Sequence, residues 1–133
     1  AAEVDHVGIA VRSLDDAVCV YREALGFKLE ATQVTKDRKM KIAFLSDAKG
    51  TRIELLEPMG TESFIADFIS TRGEGVHHVA LRVKDLDVAV KDLTNKGFVF
   101  MSDLPQRSVT GARLAFVRSK DGGNVLLELR ETV

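Results

Sequence analysis

The stretch "HVGIAVRSLDDAV", residues 6–18, returns 72 residues later as "HVALRVKDLDVAV", residues 78–90. The overlay puts His6 on His78, Val11 on Val83, Leu14 on Leu86 and Asp15 on Asp87. Similarity of a chain to itself at a fixed separation marks a duplicated structural unit. After a two-residue adjustment the match resumes: "IAFLSDAKGTRIELLE" (42–57) runs against "LAFVRSKDGGNVLLELRE" (114–131) and lays Glu54 on Glu128. Each copy opens with a histidine and closes with a glutamate.

Local patterns give each copy the same order of elements. "VDHVGIAV" alternates as a strand does, and Ser13 with Asp16 three residues on forms a near capping box. The amphipathic "LDDAVCVYREALG" follows as a helix closed by Gly26, with Cys19 read as a small core residue beside Val18 and Val20. "FKLEATQVT", "KMKIAFLS" and "TRIELLEP" read as three strands, parted by the charged turn at 36–39 and by "DAKG". The second copy repeats this βαβββ order: strand 76–83, a helix from Asp85 as N-cap to about Lys96, then strands near 98–103, 112–118 and 124–131. Between them "TESFIADFISTRGEG" predicts a connecting helix, at about 62–72, with an apolar stripe of Phe64, Ile65, Phe68 and Ile69 that stops at Gly73. With no linker of low complexity, residues 1–133 are expected to form one α+β domain of two modules, about 4–58 and 76–131.

In a duplicate, equivalent residues tend to be related by a pseudo-twofold operation, so two histidines and two glutamates from matching strands can converge on one point. Along "RIELLEP", Glu54 faces opposite to Ile53 and Leu55, and Glu128 does likewise between Leu127 and Leu129. Any one of the four alone reads as an ordinary hydrogen-bonded or solvated side chain. Packing, however, explains retention of Val11/Val83 and Leu14/Leu86 without explaining polar residues kept at both strand sites. The expected product is a metal site of His6, Glu54, His78 and Glu128, whose nitrogen and oxygen donors suit a divalent ion such as Co, Mn, Ni, Mg or Zn. His77 aligns with Asp5 and points away from His78, which makes it structural or supporting.

Composition removes other classes. Nineteen Lys and Arg against 20 Asp and Glu leave a net charge of −1, which gives no general attraction to nucleic acid or to an anionic membrane. A single cysteine excludes an internal disulfide framework and fits a reducing compartment. No apolar run approaches a membrane helix, and "AAEVDHVGI" lacks a signal peptide's regions, so the expected location is the cytoplasm or, after processing, an organelle. Walker, GxSxG and GxGxxG motifs are missing, and 6% aromatic content without Trp offers few platforms for nucleic-acid bases.

The duplicated pattern, with "DHVGIAVRSLDDAV", "RIELLEP", "GEGVHHVALRV" and "GGNVLLEL", resembles the vicinal oxygen chelate superfamily. "IELLEP", the "SFIADFI" helix and the "GEGVHH" junction resemble its methylmalonyl-CoA epimerase branch in particular. The resemblance spans nearly the whole chain. It implies two modules side by side in a curved, U-shaped mixed sheet around a divalent metal, usually in a homodimer. It also implies metal binding at His6, His78 and Glu128, with Glu54 where the family places a Gln or Glu ligand. The implied activity is epimerisation at C2 of an acyl-CoA thioester, with Glu128 both ligand and acid/base. Inversion calls for a second acid/base on the other side of the reacting carbon. Some members supply a glutamate from the strand matching "KMKIAFLS", where this chain has Lys41 near the position; the alternative is a solvated edge lysine.

A further departure lies in "LPQRSVTGARLAF" (104–116) and in Arg118-Ser119, where relatives often carry His-Pro. Arg107, Ser108 and Thr110 either bind a substrate carboxylate or belong to an exposed loop. "TKDRKMK" either meets coenzyme A phosphates or is a charged hairpin turn. Two alternative functions remain open at this level: a glyoxalase I-like lactoylglutathione lyase, and a metal-free small-molecule-binding module of the same fold.

Overall fold

The computed structural model describes residues 2–101, 106–108, 111–118 and 125–132. Its elements are β1 (Glu3–Ala10), α1 (Leu14–Cys19) running on into a π-helical turn at Val20–Ala24, β2 (Lys28–Val34), β3 (Met40–Ser46) and β4 (Arg52–Pro58). They continue with α2 (Phe64–Arg72), β5 (Gly75–Val83), α3 (Leu86–Asn95), β6 (Val99–Phe100), β7 (Gln106–Arg107), β8 (Arg113–Arg118) and β9 (Leu126–Glu131). The chain is thus α+β, with βαβββ in each copy. Among the described residues, the two-residue strand β7, pairing with β8, is an addition that sequence patterns did not predict. Chain contacts divide into two compact units, His6–His77 and Ala1–Asp5 with His78–Val133.

In the first unit the strands run β2-β3-β4-β1, with β1 and β4 parallel and the rest antiparallel. Strand alternation gives the sheet two faces. One carries Ile9, Ile53, Leu55, Ala43 and Leu45 and packs against Leu14, Ala17, Val18 and Tyr21 of the first helical segment. That stripe has helical spacing, and it leaves Cys19 outside it: the cysteine is exposed, contrary to the core role expected of it. The other face carries Ala10, Leu56, Ile42 and Met40, which pack against Ile65, Phe68 and Ile69 of α2.

The second unit repeats the scheme with β5-β9-β8-β6, β5 and β9 being parallel. Leu86, Ala89, Val90 and Leu93 of α3 pack on Ala115, Val117, Leu129 and Leu81. Helix starts are built alike in both copies. Ser13 Oγ accepts from the Asp16 amide at 3.2 Å, and Asp85 Oδ1 accepts from the Val88 amide at 3.1 Å. Each helix also has a glutamate from its last strand on its first amide: Leu14 N donates to Glu57 Oε1, and Leu86 N to Glu131 Oε2, both at 2.9 Å. A carboxylate there satisfies an orphan amide and meets the positive end of the helix dipole. Gly26 and Gly97, at φ 75° and 94°, close the two helical segments in a backbone region that side chains disfavour.

Candidate functional site

The duplication is repeated in strand register. In the first unit Gly8 of β1 and Phe44 of β3 stand on either side of Glu54 in β4. In the second, Ala80 of β5 and Phe116 of β8 flank Glu128 in β9. His6 lies two residues before Gly8 and His78 two before Ala80, so each histidine shares a face with its glutamate. The small residue beside each carboxylate leaves room for it, and the phenylalanine walls its far side. His78 and Phe116 meet edge to face, with ring centroids 6.1 Å apart.

Distances within each unit follow this register. His6 Nδ1 is 3.1 Å from Glu54 Oε2, and His78 Nε2 is 3.7 Å from Glu128 Oε1. His6, Glu54, His78 and Glu128 are 1%, 8%, 5% and 5% exposed. Burying carboxylates and imidazoles so fully requires partners. The donor chemistry fits a divalent ion: two ligands about 2.1 Å from one ion and at right angles lie about 3 Å apart. Within each unit, the histidine and the glutamate are the donors such an ion would meet.

Beside Glu128 the second unit holds a polar group that sequence reasoning passed over. Arg130 Nη1 is 3.6 Å from Glu128 Oε2 and 3.7 Å from Asp5 Oδ2, and Nη2 donates to Ser108 Oγ at 3.0 Å. Arg82 donates to Asp5 Oδ1 at 3.1 Å and to Glu3 Oε2 at 3.3 Å. These two acceptors, Asp5 first, hold the Arg82 guanidinium above its ordinary range. The signal was present in the sequence, since Arg130 falls where the first copy has Leu56 and so breaks the apolar match.

The first unit holds a second missed group, Glu30. Strand β2 pairs Leu29 with Leu45 and then Ala31 with Phe44, which leaves Glu30 as the extra residue of a β-bulge. Its Oε1 accepts from Ser46 Oγ at 2.6 Å. Ser46 shares the face of Phe44 and Glu54, so the bulge turns this carboxylate to the Glu54 side of the sheet.

Other expected site residues stand elsewhere. Lys41 pairs with Glu57 across the strands, and its Nζ is 3.8 Å from Glu57 Oε2. This is the α1 face, opposite to Glu54, and it is the first copy's counterpart of the Arg113–Glu131 contact at 3.1 Å. Alternation therefore places Lys41, expected as a second acid/base, on the helix side of its sheet and away from the face that carries Glu54. Arg107 is exposed on β7 and donates to the Gly111 carbonyl at 2.9 Å. Ser108 accepts from the Ala112 amide as well as from Arg130. Thr110 lies outside the described residues. His77 packs against Phe64 and Phe68, with centroids 5.3 and 5.1 Å away, which fits a structural role. In the "TKDRKMK" turn, Thr35 Oγ1 and the Lys39 amide both donate to Asp37, which holds its carboxyl below the usual range. Among the described residues no helix is long and apolar enough to cross a membrane.

Residues 5–116 match the model of the Glyoxalase/Bleomycin resistance protein/Dioxygenase superfamily. The ethylmalonyl-CoA/methylmalonyl-CoA epimerase of Cereibacter sphaeroides is 34% identical over 130 residues, which cover 96% of each chain. A crystal structure of a hypothetical protein from Bacillus halodurans aligns with a TM-score of 0.92 at 37% identity, covering 100% of this chain and 96% of that one. A methylmalonyl-CoA epimerase in complex with methylmalonyl-CoA and NH4+ aligns with a TM-score of 0.86 at 33% identity, covering 99% and 95%. The strand register, the duplicated pairs and these likenesses agree: the chain belongs to the glyoxalase/bleomycin resistance protein/dioxygenase superfamily and has methylmalonyl-CoA epimerases among its relatives.

Proposed function

We propose that this chain inverts C2 of methylmalonyl-CoA by removing a proton from one side of the carbon and returning one to the other. The observation that carries the reading is the pair of buried His–Glu couples in identical strand register, one per unit. Relatives bearing the epimerase name support the choice of substrate. His6, Glu54, His78 and Glu128 together hold one divalent ion in this reading. When bound, the ion supplies Lewis acidity at the thioester and carboxylate oxygens, which stabilises the charge appearing as the C2 proton leaves.

The chain's own groups then divide the work. Glu128 accepts the proton on its side through one carboxylate oxygen while serving as ligand. On the other side the proton is held by Glu30, which the bulge in β2 turns to the Glu54 side of the sheet. The Ser46 hydroxyl orients it. Phe44 and Phe116 border Glu54 and Glu128, which are buried from water. We further propose that the working form is a homodimer.

Proton NMR of methylmalonyl-CoA in deuterium oxide tests this. Metal-stripped protein is expected to leave the C2 proton in place, and cobalt addition to start its exchange. Absence of exchange with cobalt bound would refute the epimerase reading and turn attention to a thiohemiacetal lyase or a binding module. Glu30→Gln should still exchange one epimer while losing inversion; full inversion would remove Glu30 from the reaction.

A further inference from the structure

We propose that Arg130 is a positioning residue that fixes the carboxylate plane of Glu128 and thereby makes it unlike its duplicate Glu54. The inference rests on the ligand role proposed for Glu128. In "ELLE" (54–57) and "ELRE" (128–131) the only difference is Leu56 against Arg130. Leu56 is buried in an apolar cluster with Ala10, Ile42 and Ile65. The side chain of Arg130 is nearly as buried, at 13% exposed, yet its neighbours are polar. A guanidinium is a planar fork that engages several acceptors at set angles, and here its acceptors lie on separate elements.

The two oxygens of Glu128 face different groups. Oε1 lies toward His78 Nε2 at 3.7 Å, while Oε2 lies toward Arg130 Nη1 at 3.6 Å. A cation 3.6 Å from one oxygen draws that oxygen toward it and so biases the carboxylate plane, leaving the other oxygen on the histidine side. Arg130 is itself held from behind by Asp5 and by Ser108 Oγ, and Asp5 by Arg82. The series Arg82–Asp5–Arg130–Glu128 thus transmits a fixed orientation to the donor atom, as groups behind a ligand commonly do.

Arg130→Leu installs the residue of the other copy, and Arg130→Lys keeps charge without the fork. In a cobalt titration Arg130→Leu is expected to weaken binding by about tenfold or more, and Arg130→Lys by less. In a Glu128→Gln background Arg130→Leu should change cobalt binding less than about twofold, because the group it acts through is altered. With substrate, kcat for C2 exchange should fall about tenfold with KM nearly unchanged. A folded Arg130→Leu protein with wild-type cobalt affinity would overturn the proposal. So would equal weakening with and without Glu128, or, if that variant fails to fold, an Arg130→Lys protein as tight as wild type. Absence of exchange by the wild type would remove the substrate reading, while the cobalt titrations still decide the part played by Arg130.

Discussion

Glu54 and Glu128 occupy the same place in the two copies, yet their next neighbours on the same face differ. Each is flanked by a small residue and a phenylalanine in identical register. Two residues on, Leu56 enters an apolar cluster under α2, whereas Arg130 enters a polar group with Asp5 and Ser108. The difference leaves two carboxylates in the same register with different surroundings. Backbone register fixes where each carboxylate sits, and the residue two positions on sets the chemistry beside it.

The largest expected effect separates the two glutamates. Glu128→Gln should abolish C2 exchange while the far-ultraviolet circular dichroism stays native, because it removes ligand and base together. Glu54→Gln keeps an oxygen donor and is expected to retain measurable exchange with cobalt in excess. Equal loss in both variants would show that the halves contribute alike.

Next come the matched core positions. Leu55 and Leu129 are equivalent and essentially buried. Leu55→Ala and Leu129→Ala should each lower stability by about 2–5 kcal/mol in urea unfolding. A loss under about 1 kcal/mol at either would mean that its helix packs loosely there.

The helix-capping glutamates give a smaller effect. Glu57→Ala and Glu131→Ala each strip an orphan amide of its acceptor, at about 1 kcal/mol. Glu131→Ala should cost more, since Glu131 also pairs with Arg113 at 3.1 Å whereas Glu57 meets the half-exposed Lys41 at 3.8 Å. The reverse order in thermal unfolding would contradict this ranking.

The smallest effect concerns the hairpin turn at 35–41. Asp37 has a depressed folded-state pKa, chiefly through the Thr35 hydroxyl. Its contribution is therefore present above the ordinary aspartate range and lost as pH falls through the lower folded value. Asp37→Asn should slightly lower stability at pH 7, where that contribution is present, and flatten the acid limb of the profile below about pH 4.

The sequence made the duplication legible because apolar alternation and capping chemistry are local, and both copies carry them. His6, Glu54, His78 and Glu128 were legible for the same reason: they sit where the copies agree. The surroundings of residues that lie where the copies disagree were not. Arg130 reaches Asp5, 125 positions away in the chain, and no local pattern encodes that meeting. Glu30 depends on a bulge that shifts strand register, and Lys41 was assigned by position without regard to the face that alternation gives it. Cys19 was misplaced because its apolar neighbours in sequence were read in place of the helical stripe.

The most direct test of the proposal that two copies make one site is the stoichiometry of cobalt binding by wild type, His6→Ala and His78→Ala, read from visible absorption. One ion per chain in the wild type, with binding lost or weakened at least about tenfold by either substitution, is the expected result. Two ions per chain, or one histidine variant binding as tightly as wild type, would contradict it.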